Sequence, residues 1–204
     1  MQKAWLFTHS STRRTAVCGP ARTVVREGRT GDCPPIPICT QYTAYVIVLM
    51  MGVVGAGKTT VGSLLAKQLG WEFVDADSFH SPANVEKIRL GIPLDDADRA
   101  PWLKAIRQAM DQWIAKHQDV VLACSALKKV YREELDGGAD VKVVYLKGTY
   151  DVIHRRLGLR HGHFASEKLL ASQFAILEEP EEGIAVDVDQ SPAETVEEIR
   201  RWLG

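Results

Sequence analysis

The string Gly52-Val53-Val54-Gly55-Ala56-Gly57-Lys58-Thr59, followed by Thr60, has the residue types and the spacing to hold a phosphate chain. It fits G-x-x-x-x-G-K-[ST]. The glycines let the backbone curl and turn successive N–H groups toward phosphate oxygens. A helix that starts here adds its positive end to the same anion. Lys58 is placed to reach the outer phosphates, and the Thr59 hydroxyl to ligate Mg²⁺. Residues 52–60 are therefore the expected nucleotide site. A phosphate loop implies a nucleotide but not a reaction, because switches, hydrolases and kinases share it.

A second chemical signal is a pair of carboxylates. Many such enzymes end a later apolar strand in an Asp that supports Mg²⁺. Val120-Val121-Leu122-Ala123-Cys124-Ser125 has none, whereas the second apolar segment ends in Asp75-Ala76-Asp77. In an extended chain alternate residues share a side, so both carboxylates are expected to face one site. We assign Mg²⁺ support to Asp75, alongside Thr59. Asp77 is assigned to the acceptor hydroxyl, which it orients and whose proton it accepts. Asp187 and Asp189 also end an apolar run, and are read as lying toward the base of the nucleotide or as structural.

These groups need elements to position them. Residues 45–50 form a continuous apolar run, as in a strand buried on both faces. Val61, Leu64, Leu65 and Leu69 recur at helical spacing and Gly70 supplies a stop. Further strands are expected near residues 73–74, 119–124, 141–146 and 184–188. Helices are expected after Asp98 and over 126–135, 151–159, 167–177 and the C-terminal stripe of Val196, Ile199, Trp202 and Leu203. Strands alternating with helices predict an α/β fold, a three-layer α/β/α domain around a parallel five-stranded sheet.

Of the 204 residues, 46% are apolar and 25% charged, enough to build a core. Residues 1–42 carry six Lys/Arg against two Asp/Glu; residues 43–204 carry 19 against 24. The acidic larger part argues against nucleic acid or an anionic membrane as partner. No apolar run approaches the roughly 18 residues of a membrane span. The four cysteines follow neither a metal nor a disulfide pattern, so a reducing, cytoplasmic setting is expected. Residues 1–42 lack periodicity and contain Pro34-Pro35-Ile36-Pro37. They are read as a disordered extension or a mis-assigned start, with the working domain at 43–204.

Two blocks then carry a resemblance. Phe79-His80-Ser81-Pro82-Ala83-Asn84-Val85-Glu86-Lys87 follows Asp77, and Gly91-Ile92-Pro93-Leu94-Asp95-Asp96-Ala97-Asp98-Arg99-Ala100-Pro101-Trp102-Leu103 comes next. They are similar to D-G-D-x-x-H-P-x-x-N-x-x-K-M and G-x-P-L-x-D-x-D-R-x-P-W-L of the gluconate kinase (gluconokinase) family. The likeness runs on through Ala123-Cys124-Ser125-Ala126-Leu127-Lys128-Lys129-Val130-Tyr131-Arg132, Arg160-His161-Gly162-His163-Phe164 and Ser172-Gln173-Phe174. Ser81, Ala76, Ile88 and His161 depart from the usual Pro, Gly, Met and basic residue.

The resemblance implies a P-loop kinase fold related to shikimate kinase. It implies ATP and Mg²⁺ as cofactors and D-gluconate as the substrate phosphorylated. Such an acceptor needs a cation for its carboxylate and polar groups for its hydroxyls. Arg99 suits the first by a two-pronged contact; His80, Asn84, Lys87 and Arg132 are expected to complete the pocket. Each also has a plain structural reading: His80 at a helix start, Lys87 on a solvated face, Arg99 as partner of Asp95 or Asp96. Arg156 and Arg160 lie four apart on one helical face. Arg156 is expected at the nucleotide. Arg160 opens a Gly-containing segment that looks like the mobile lid of small kinases, where its charge would join catalysis with Lys58. A homodimer is compatible with all of this. Two rivals stay open. One is another metabolite kinase, of shikimate or nucleoside monophosphate type, although shikimate kinases usually carry Gly-Gly where this chain has Ser125-Ala126. The other is a nucleotide-gated regulatory protein.

Overall fold

The computed structural model describes residues 45–136, 138–158 and 164–204. Five strands, β1 (Ile47–Met51), β2 (Glu72–Asp75), β3 (Val120–Ala123), β4 (Val141–Lys147) and β5 (Ile184–Asp187), form one sheet in the order β2-β3-β1-β4-β5. Every pairing is parallel, as the strand–helix alternation predicts. Strand β1 is central, and all five of its residues are buried. Its alternate side chains enter opposite cores, which is why it reads as an unbroken apolar run.

On one face, Val48 and Met50 meet Val61 and Leu65 of α1 (Lys58–Leu69) and Val196 and Ile199 of α7 (Pro192–Leu203). On the other, Ile47, Leu49 and Met51 meet Trp102, Leu103, Ile106 and Met110 of α3 (Asp96–Ala115) and Tyr131 of α4 (Lys129–Glu134). The fold is the expected three-layer α/β/α arrangement. The strand order reverses direction around β1, so the cleft for ligands opens at the carboxyl ends of β1 and its neighbours.

Several elements differ from the sequence reading for local reasons. Asp77 is not in extended chain: Asp75 caps a 3-10 turn over Ala76–Phe79 and accepts the Asp77 N–H at 3.1 Å. The two carboxylates are brought together by a turn rather than by strand alternation. An additional helix, α2 (Pro82–Arg89), follows, with Ser81 as N-cap accepting the Asn84 N–H and Pro82 at the first position. Ser81, where the family usually has Pro, thus starts this helix. Helix α4 begins only at Lys129, because Ala126 adopts a left-handed φ of 42° that no helix continues. Helix α5 spans Tyr150–Gly158, and α6 spans Phe164–Ala175, three residues earlier than the spacing suggested. Arg160 and the expected lid as far as His163 lie outside the described residues, while residues 164–166, expected in the same segment, open α6. No helix of the described residues is long and apolar enough to cross a membrane.

Candidate active site

The phosphate loop is shaped by its glycines at two points. Gly55 has φ 82°, and a Cβ there would lie 2.8 Å from Leu157 Cγ. Gly57, at φ 98°, is the N-cap of α1 and brings no capping side chain, so the first amides of the helix are left to an anion. Lys58 folds back over the loop, its Nζ donating to the carbonyls of Gly52 at 2.9 Å and Val53 at 3.0 Å. Burial pushes this ammonium below the ordinary lysine range, while the nearby Asp77 and Asp75 pull it up. The Thr59 hydroxyl donates to Asp75 Oδ2 at 3.1 Å. A hydroxyl and a carboxylate oxygen side by side are the hard donors a Mg²⁺ ion takes beside phosphate and water.

Beside the loop lies a cavity of about 300 Å³, lined by Gly55, Ala56, Gly57, Thr60, Arg156, Val188, Gln190 and Pro192. Arg156 is fixed there by donating to the Val188 carbonyl and, at 3.3 Å, to the Gln190 carbonyl. Asp187 and Asp189 line a different cavity with Tyr145 and Phe174. Alternation along the strand end, with Val188 and Gln190 turned to the loop, separates them from the nucleotide side.

A second cleft, of about 320 Å³, joins the phosphate loop to α2 and α3. Lys58, Asp75, Asp77, His80 and Arg99 all face it, over a floor of Trp102, Ala123 and Cys124. Its size is at the lower end of small-molecule sites. Partial desolvation within the cleft and the neighbouring Asp75 raise the Asp77 carboxyl above the usual range, and Lys58 and His80 oppose the rise. The Asp77 side chain is 84% exposed, so water limits that rise. His80 stacks on Trp102, ring centroids 4.6 Å apart and planes 10° from parallel. Trp102 is itself tied down by donating Nε1–H to the Ala76 carbonyl at 2.8 Å. Burial holds His80 toward its neutral form, Asp77 opposing this and Arg99 reinforcing it. Its Nε2 lies 3.9 Å from Asp77, and its Nδ1 is buried with no hydrogen-bond partner among the described residues.

Three expected pocket residues are placed elsewhere. Asn84 is buried and donates Nδ2–H to the Asp98 carbonyl at 2.8 Å. Lys87 Nζ donates to both Asp98 carboxylate oxygens, at 2.6 and 2.7 Å. Asp98 is also the third residue of the capping box that starts α3, exchanging hydrogen bonds with Asp95. The two residues therefore lock α2 onto α3 and do not line the cleft. Arg132 turns away to the carbonyls of Ala126 and Leu127 and lines a cavity with Glu133 and Glu178.

A shikimate kinase family model matches residues 54–203. Probable gluconokinase of Mus musculus is 47% identical over 178 residues, 77% of this chain and 97% of that one. Thermoresistant gluconokinase of Escherichia coli is 41% identical over 164 residues, 76% of this chain and 94% of its own. The chain belongs to the gluconokinase family of P-loop kinases. The crystal structure of a gluconokinase from Sinorhizobium meliloti has 40% identity and a TM-score of 0.69 over 76% of this chain and 89% of that one. An APS kinase from Mycobacterium tuberculosis, 20% identical with a TM-score of 0.60, shares the fold.

Within the blocks shared with the gluconokinase family, the structure adds residues to which motif reading gave no role. Gln173 Oε1, on α6, accepts the Val54 N–H at 2.6 Å and pins the phosphate loop. Tyr131 and Lys128 gather around Asp96 beside Arg99. Both lie in the quoted motif strings, but a lone Gln, Tyr or Lys carries no chemical signature until the fold shows its partner.

Proposed function

We propose that this gluconokinase-family chain phosphorylates D-gluconate on its 6-hydroxyl, using ATP and Mg²⁺. The observation that supports this most directly is the shared cleft of Lys58, Asp77 and Arg99. It offers a phosphate cation, a hydroxyl-facing carboxylate and a carboxylate-facing cation together.

ATP lies along residues 52–60, its base against Arg156 and Pro192. Lys58 exchanges its loop carbonyls for phosphoryl oxygens. Thr59 and Asp75 hold Mg²⁺, which when bound neutralises charge on the β- and γ-phosphates. Gluconate places its carboxylate on the guanidinium of Arg99 and a chain hydroxyl near His80. Asp77 orients the 6-hydroxyl and takes its proton as the oxygen bonds to phosphorus and the bond to ADP breaks. No phosphoenzyme is needed. Arg160, which follows α5 in sequence, is the further cation of this reading. The catalytic unit is taken as residues 43–204, acting in the cytoplasm.

Coupled ADP release with gluconate, other aldonic acids and shikimate tests the proposal. Gluconate-dependent turnover is expected. ATP hydrolysis indifferent to every acceptor would instead favour a nucleotide switch, and turnover with shikimate the neighbouring kinase class.

A further inference from the structure

Arg99 enters the cleft from the first turn of α3, and its side chain is 21% exposed. A guanidinium on a flexible stem carries about 2 kcal/mol of rotamer entropy. A carboxylate that finds it already held binds at lower cost. Arg99 Nη1 donates to the Tyr131 hydroxyl at 3.3 Å, and its guanidinium carbon lies 5.7 Å from the centroid of that ring. The Tyr131 hydroxyl in turn donates to Asp96 Oδ1. A phenol has one proton, so committing it to Asp96 leaves its lone pair for Arg99. Asp96 is held by Lys128, whose Nζ reaches its two oxygens at 2.9 and 3.0 Å. The direction of donation along the chain Arg99–Tyr131–Asp96 is therefore fixed. Tyr131 is 6% exposed and anchored in the core beneath α3, whereas Asp96 is 67% exposed.

We propose that Tyr131 is a positioning residue for the acceptor: with Asp96 and Lys128 behind it, it presets Arg99 for the substrate carboxylate. This rests on the reading that Arg99 receives that carboxylate. It makes Tyr131, rather than the adjacent Arg132, the member of the 123–132 block that governs acceptor affinity.

Tyr131→Phe keeps the ring and removes only the oxygen. Steady-state kinetics on the full chain should show the gluconate KM rising about tenfold, the scale of one hydrogen bond to a charged group. The ATP KM and kcat should stay within about threefold. In an Arg99→Ala background, which itself raises the gluconate KM, Tyr131→Phe should add less than about twofold, because its route is gone. An unchanged gluconate KM in Tyr131→Phe, or an equal multiplicative rise in both backgrounds, overturns the positioning role and leaves the Arg99 contact standing. An unchanged KM in Arg99→Ala removes the contact and the proposal with it. Asp96 Oδ1 also lies 3.8 Å from Arg99 Nη1, so Asp96→Asn, which keeps an acceptor for the Tyr131 hydroxyl and removes the charge, separates the two routes should Tyr131→Phe fail to fold. A gluconate KM within about twofold of the parent is expected if the hydroxyl positions Arg99. A change of about tenfold would assign the positioning to the direct ion pair and overturn the role of Tyr131.

Discussion

Replacing Asp77 by Asn separates chemistry from binding at this site. The Asp77 side chain lies in the acceptor cleft, outside the cavity that holds Arg156 and Pro192, and the Thr59–Asp75 pair does not depend on it. A positioned general base contributes about 10²–10⁴ in rate, so kcat should fall by that factor, about 3–5 kcal/mol of barrier. The ATP KM should move less than about threefold. Thermal stability should hardly change, since the side chain is 84% exposed. The pH profile gives a second readout. Asp77 must be ionised to accept a proton, and its carboxyl is raised above the usual range, so kcat/KM should climb with pH through that raised value, level, and fall again where Lys58 loses its proton. Asp77→Asn removes this acid limb. It also withdraws a charge that pulls the Lys58 ammonium upward against burial, so the alkaline limb should shift to lower pH. A loss in kcat below about fivefold, or an acid limb that survives in the variant, would refute the base assignment.

Two further substitutions test the placements that differ from motif reading. Lys87→Met breaks a contact to Asp98 that is 40% and 18% exposed on its two sides, worth about 0.2–1 kcal/mol. The melting midpoint should drop by a few degrees at most with the gluconate KM unchanged, and a tenfold KM rise would return Lys87 to the pocket. Gln173→Ala leaves the Val54 N–H without its 2.6 Å acceptor. ADP affinity, followed by titration calorimetry, should weaken about fivefold or more, on the scale of a part-buried donor left unpaired; an unaltered affinity would show that α6 does not set the loop.

The conformation of the phosphate loop was legible in the chain because its determinants are local. Strand, glycines, Lys58 and helix are contiguous, and backbone conformation alone decides where they point. The acceptor half was legible in part. His80 and Arg99 reach the cleft, but Asn84 and Lys87 share their block and turn to Asp98. Sequence gives no sign of which polar residue faces a ligand and which clamps two helices, because both uses favour the same residue types at the same spacing. The Asp75–Asp77 pair shows a similar limit. The residues were the right ones to consider together, but the geometry comes from a capped 3-10 turn that periodicity does not reveal. Ala126 likewise interrupts a run that propensity reads as helix, through a left-handed residue whose cost is met by tertiary packing.

The absence of an acid at the end of β3 then acquires a physical reason. Cys124 stands one residue beyond that strand, in the floor of the cleft, while Asp75 pairs in register with Ala123 just before it. Burial pushes the Cys124 thiol up to about 12, so it stays neutral at any pH the site encounters. A carboxylate there would be a third acid close to Asp75 and Asp77, with Lys58 as the nearest counter-charge. Like charges raise one another's pKa, and Asp77 is already raised by Asp75. A third would favour a protonated Asp77 and remove the proton acceptor the proposed reaction needs. With one acid at the end of β2, the other on the 3-10 turn that follows and a neutral thiol just past β3, the proposed reaction keeps one carboxylate for the metal and one, still ionised, for the hydroxyl.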